Sequence, residues 1–224
     1  MQTQAAQEHL LRADTYRLLA LGFSPRDAKN FTTMLEVLAE LSDSGSGEVH
    51  AYLLRNVATH LGTSDELYGE AEFNRLFVNQ VHCSAHEGSY QMAELGTVIG
   101  DIAAFYQAFG VRVTEQHGSP DSIAMELGFM SVMALKSAYA AEQQDEEALE
   151  VLMDAQKKFL NDHLARWADL FATKLLVMTD ELFYQSLAHL LKYWVEQEIK
   201  LFEIQPNKLT VSLPQYEGGL KCAM

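Results

Sequence analysis

From residue 146 to residue 204 apolar residues return every three or four positions with hardly a break, a period that helix satisfies and strand does not. The stretch "FLNDHLARWADLF" at 159–171 sets Leu160, Leu164, Trp167 and Phe171 on one stripe, which is expected to be core. Helix breaks are expected near Asn161 and near Thr179-Asp180, because their short polar side chains can accept the amides that a helix start leaves open. Three helices then fill this half of the chain.

The same period runs through the first half. Residues 5–22 carry Leu10, Leu11, Leu18, Leu19 and Leu21, with Gly22 expected as the cap. Ser24-Pro25 is expected to open a helix bearing Phe31, Met34, Leu35, Leu38 and Leu41, before "SDSGSG" at 42–47 makes a surface loop. Helical patterns follow at 48–61, 64–79 and 92–109, the last ending at Gly110. Ser119 and Pro120 are expected as N-cap and first turn of a helix reaching about residue 141, with Ile123, Leu127, Met130 and Leu135 on its core face. The expected architecture is all-α, a single-domain bundle of about eight helices over residues 1–204. Residues 205–224 lack a helical period and are expected to be an extended or disordered tail.

Charge and composition narrow the function. A formal charge of −15 disfavours nucleic acid and anionic membranes as partners, and favours a basic one. No stretch approaches the roughly 20 apolar residues of a membrane span, and the N-terminus shows no basic-then-apolar leader, so a cytoplasmic protein is expected. Two cysteines, Cys83 and Cys222, far apart and outside any C-x-x-C pair, make no disulfide framework.

The helical pattern is interrupted by "VHCSAHEGSYQMAEL" at 81–95, where chemistry-bearing residues crowd together. One reading makes a metal site of His82, Cys83, His86 and Glu87, the core of a small helical metal-dependent enzyme, since zinc accepts imidazole, thiolate and carboxylate. Structural zinc usually draws on two separated ligand pairs, however, and no second Cys/His cluster exists in the chain. A nucleophilic reading of Cys83 lacks any signal for an oxyanion hole. The remaining reading is a binding surface carried by a rigid helical scaffold, with His86 and Glu87 exposed.

Five segments in order carry a resemblance: a Tyr-Arg-Leu-Leu helix at 16–19; Glu-Phe-x-Arg-Leu-Phe-Val at 72–78; the loop ending Gly-Ser-Tyr at 88–90; Ser-Pro-Asp-x-Ile-x-x-Glu-Leu-x-Phe-Met at 119–130; and Phe-Leu-x-x-His-Leu-x-x-Trp at 159–167. In this order they resemble the TorD/DmsD/NarJ family of cytoplasmic molybdoenzyme chaperones. The resemblance implies a TorD-like all-helical protein without catalytic residues, bound metal or resident cofactor, as monomer or homodimer. It implies as partners the catalytic subunit of a molybdenum oxidoreductase of the dimethyl sulfoxide reductase superfamily and its twin-arginine signal peptide. Carried onto this chain, the client-binding residues are His86, Glu87, Ser89, Tyr90, Pro120, Asp121, Ser122 and Glu126. Family members commonly carry a Pro-Pro-Tyr-x-Ser-x-Tyr loop and a Pro-Asp-His turn. Here the loop has no proline and the turn reads Pro120-Asp121-Ser122.

Overall fold

The apolar period produces helices where it predicts them in the computed structural model, which describes residues 3–43, 47–63, 66–78, 83–91, 95–113 and 118–210. His82, Cys222 and the tail beyond residue 210 lie outside the described residues. The helices are α1 (Gln4–Gly22), α2 (Ala28–Asp43), α3 (Glu48–Thr63), α4 (Glu66–Phe73), α5 (Leu95–Ala108), α6 (Ile123–Gln143), α7 (Glu146–Phe159), α8 (Ala165–Met178) and α9 (Leu182–Leu201). A π segment, Asn74–Val78, extends α4, and a 3-10 turn spans Glu87–Tyr90. Among the described residues the architecture is all-α, and no helix is long and apolar enough to cross a membrane.

The centre of the fold is the packing of α1 on α6, its most extensive helix pair. Both helices bury small residues, Ala6 and Ala13 on one and Ala134 and Ala138 on the other, and small side chains let helix axes approach. Ser131 ties the pair by donating its hydroxyl to the Ala13 carbonyl at 2.8 Å. Around this pair α2 and α9 pack on α1, α7 on α6, and α3 and α8 on α9. Arg12 makes a buried two-pronged ion pair with Glu198, at 2.8 and 2.7 Å, and also donates to Gln156 at 2.8 Å. That pairing joins α1, α7 and α9 and meets the requirement that a buried charge be matched.

Several boundaries differ from the sequence expectation, each for a visible reason. The break expected near Asn161 is absent: α7 passes through a π segment, Leu160–Leu164, straight into α8. The extra residue in that turn still buries Leu160, His163 and Leu164, while Asn161 bonds Asp162 near the surface at 2.7 Å. The break at Thr179 does form, and Glu181 caps α9 by accepting the Tyr184 amide at 3.0 Å. Helix α2 begins at Ala28, after Asp27 and not at Ser24-Pro25, with the Asp27 side chain accepting the Asn30 amide at 2.7 Å. Leu135, expected in the core, is 54% exposed, and Leu35, which follows the apolar period of α2, is 44% exposed.

Gly22 is the last residue of α1, and the capping position falls to Phe23. Its lack of a side chain serves packing instead: a Cβ there would sit 2.6 Å from Leu187 Cδ1, and Leu187 is fully buried on α9. Gly22→Ala should therefore destabilise by about 1–3 kcal/mol through overpacking. In a double-mutant cycle with Leu187→Val, chemical denaturation should return a coupling of at least about 0.5 kcal/mol; strict additivity would mean that Leu187 is not what Gly22 accommodates.

Candidate functional site

The loop at 83–91 lies against the start of α6, and backbone hydrogen bonds join them. His86 and Ser122 form an isolated antiparallel bridge. The Glu87 amide donates to the Asp121 carbonyl at 2.9 Å, and the Ile123 amide to the Ala85 carbonyl at 2.9 Å. Ser119 and Pro120 do not start the helix. Pro120 sits in a turn whose carbonyl accepts the Tyr106 hydroxyl at 2.8 Å, and Ser122 is the true N-cap, accepting the Met125 amide at 3.3 Å.

Asp121 fixes the loop from inside. It is 1% exposed, accepts the Gly88 amide at 3.1 Å and the Ser119 hydroxyl, and lies 3.3 Å from His86 Nδ1. Burial alone would raise its pKa, yet the bonds from His86, Ser119 and the Gly88 amide outweigh burial and lower it. The carboxylate is thus held ionised by the loop it organises.

Glu87 and Glu126 lie deeper, both fully buried, so neither is the exposed contact that the sequence reading expected. Glu87 Oε2 lies 3.1 Å from His163 Nδ1, and its Oε1 accepts from the Gln91 side chain. Glu126 Oε2 accepts the Trp167 indole N–H at 3.1 Å, while its Oε1 meets no hydrogen-bond partner among the described residues. Burial, and next the neighbouring Glu87 carboxyl, push the Glu126 pKa well above the ordinary carboxyl value. Trp167 is fully buried, as the stripe predicts, and the half-buried Tyr90 ring packs 5.4 Å from it.

The sequence reading missed His163 and Gln91. His163 precedes Trp167 by four residues and shares its buried side, a spacing that could have paired the two as donors. The members left at the surface are Ser89, exposed, and His86, Tyr90, Pro120 and Ser122, partly exposed. Ser89 accepts the Ser84 hydroxyl at 2.7 Å, and Tyr90 donates to the Ser84 carbonyl at 2.6 Å.

The metal-site alternative is not favoured by this geometry. Cys83 is fully buried with its sulfur 3.8 Å from the Phe171 carbonyl, and burial pushes its thiol up to about 11, which suits a packed side chain and not a thiolate ligand. His86 and Glu87 turn to different partners, Asp121 and His163. Among the described residues no three of His, Cys, Asp and Glu cluster as a metal site.

An all-helical scaffold with a hydrogen-bonded loop, its acids turned inward, is the class that fold and site define. The family model for the nitrate reductase delta subunit matches residues 40–173, a span that includes the loop and the start of α6, and the chain belongs to that family. The chain is 34% identical over 92 residues to the chaperone protein TorD of Photobacterium profundum, a match covering 41% of each protein. A solved structure described as a redox enzyme maturation protein from Archaeoglobus fulgidus shares the fold, with a TM-score of 0.56 and 18% identity, over 88% of this chain and 96% of that one.

Two outcomes follow from the buried cluster. Trp167→Ala should cost about 3–5 kcal/mol in denaturant melts, since it opens a large cavity and strips Glu126 of its donor; an unchanged midpoint would contradict the packing described. The second concerns pH. A carboxyl whose folded pKa is raised contributes stability fully present below its unfolded value near 4.5, and lost as pH rises towards the folded pKa. Glu126→Gln removes that titration, so the variant should gain on the parent in stability between pH 5 and pH 8, measured by denaturant midpoints. A difference between variant and parent that stays constant across that range would show that Glu126 is ionised in the folded state.

Proposed function

We propose that this protein is a system-specific chaperone for the catalytic subunit of a molybdenum oxidoreductase of the dimethyl sulfoxide reductase superfamily. In this reading it binds the twin-arginine signal peptide, the apo subunit or both in the cytoplasm. It holds the client while the molybdopterin cofactor is inserted, and delays export until maturation is complete. The observation that carries the reading is membership of the nitrate reductase delta subunit family over residues 40–173. The formal charge of −15 supports it, because a twin-arginine segment is basic and opposite charges accelerate encounter.

Within this reading residues 1–204 act as one chaperone domain, and the eight client-binding residues divide by depth. His86, Ser89, Tyr90, Pro120 and Ser122 reach the surface and meet the client, while Glu87, Asp121 and Glu126 are buried and act by holding the loop in shape.

The test is co-purification of the tagged full-length chain from its native host under molybdenum-sufficient and molybdenum-starved growth, with the bound protein identified by mass spectrometry. A molybdoenzyme catalytic subunit is expected, enriched under starvation when apo-enzyme accumulates. Recovery of other proteins only, in both conditions, would overturn the proposal.

A further inference from the structure

The chain leaves α9 through Glu203, whose φ of 51° ends the helix, and Ile204 is buried directly after it. From there the chain lies against the start of α8. Arg166 Nε donates to the Asn207 carbonyl at 3.3 Å, and the Leu209 amide donates to the Arg166 carbonyl at 2.8 Å. Leu209 packs against the core, while Thr210, the last described residue, is exposed. Asn207 and Arg166 also line an open groove of about 1060 Å³ between α5 and the continuous helix of α7 and its π segment, and Arg166 is the farthest lining residue along that helix. The described chain therefore stops at one end of the groove.

The lining interleaves apolar and acidic side chains. Val98 and Phe105 stand on either side of Asp101 along α5, and Val151, 55% exposed, sits between Glu150 and Asp154 on α7. Phe105 closes the floor against Phe159, with ring centroids 5.4 Å apart. A segment that alternates apolar and polar side chains matches such a surface. Leu209-Thr210-Val211-Ser212-Leu213 alternates strictly, so an extended chain that keeps Leu209 packed sets Val211 and Leu213 on the same side and Thr210 and Ser212 on the other. Pro214 suits an extended course, and the hydroxyls of Ser212 and Tyr216 are donors for carboxylates. Glu217 and Lys221 are the only charged side chains from 211 to 224, so this segment is not repelled by the acids as the rest of a chain of charge −15 is.

Reach and tether favour this segment over any other occupant. The wall from Thr97 to Ala108 is about 17 Å long at the helical rise, and six extended residues cover about 20 Å. A connection this short holds the segment at an effective concentration of about 1 mM, so a contact with a Kd of only about 0.1 mM keeps the groove covered about ten to one.

We propose that residues 211–216 of this chain fold back into the groove between α5 and α7, Val211 and Leu213 lying over Val98, Phe105 and Val151. The segment closes the groove from within, and any other ligand for this face has to displace it. The assignment is independent of the client that the chaperone reading names.

The test uses the full-length chain with Cys222→Ser and one added thiol, Ala104→Cys on α5 or Val151→Cys on α7, both at exposed positions of the lining. Alkylation by iodoacetamide, a neutral reagent that the acids do not repel, is followed by mass spectrometry. Cys83 does not compete, because it is fully buried and its thiol is pushed up to about 11. Rates are taken relative to Leu135→Cys, which is exposed on α6 and outside the groove. Both groove thiols should react about tenfold faster once Val211→Ser and Leu213→Ser are introduced, and by the same factor at every protein concentration. A rate at either wall that stays within about twofold when the two tail residues are changed would overturn the proposal. Protection that grows with protein concentration would also overturn it, since the cover would then come from a second copy of the chain.

Discussion

Two carboxyl groups buried side by side, Glu87 and Glu126, set the arrangement of everything around them. A buried acid left without donors costs several kcal/mol, and two negative charges in one apolar pocket cost more. The fold answers with donors from three places: Gln91 from the loop's own end, His163 from the π segment and Trp167 from α8. A raised pKa on Glu126 removes one of the two charges. The loop, the start of α6 and the α7–α8 helix are therefore not independent, because moving any one of them strands a buried polar group. Asp121 repeats the device one layer up, where its buried carboxylate gathers His86, Ser119 and the Gly88 amide.

How much of this could be read beforehand depended on how local its cause was. Helices were legible because their cause is a repeat of three to four residues, and the fully buried Leu160, Leu164, Trp167 and Phe171 are the stripe that the repeat predicts. Exposed Leu35 and Leu135 show the limit, since a period names a face but not how wide a face the neighbours cover. The π segment had no local cause. His163 lies 76 residues from Glu87 in sequence, and Trp167 lies 41 from Glu126, so no short window along the chain contains both members of either pair. Glu87, Asp121 and Glu126 were read as surface groups because acids usually are. Their burial follows from partners that only the folded chain brings close.

The acidic character of the chain divides accordingly. Some of its 31 acidic residues are structural, internally matched and withdrawn from solvent, as with Glu198 against Arg12 or Asp121 inside the loop. Others, such as Asp101 on α5, Glu150 on α7 and Asp162 on the π segment, stand exposed. Only the second kind can attract a basic partner across solvent, and salt screens it within about 10 Å at 0.1 M. Net charge alone does not make this distinction, because it counts both kinds alike.

The same division bears on the missing prolines of the loop. A Pro-Pro-Tyr-x-Ser-x-Tyr loop is stiffened by its prolines, whose rings restrict the backbone. Here the stiffness comes from hydrogen bonds: the Glu87 amide to the Asp121 carbonyl, the Gly88 amide to the Asp121 carboxylate, the Tyr90 hydroxyl to the Ser84 carbonyl, and the Ser84 hydroxyl to Ser89. A proline at 87 or 88 would delete the amide that the Asp121 carbonyl or carboxylate accepts, so these bonds keep both positions free of proline. A loop held this way depends on Asp121 staying ionised, and its lowered pKa shows that the loop's own donors supply that condition. Rigidity and charge state are thus one property of the loop, and the surface formed by His86, Ser89 and Tyr90 inherits both.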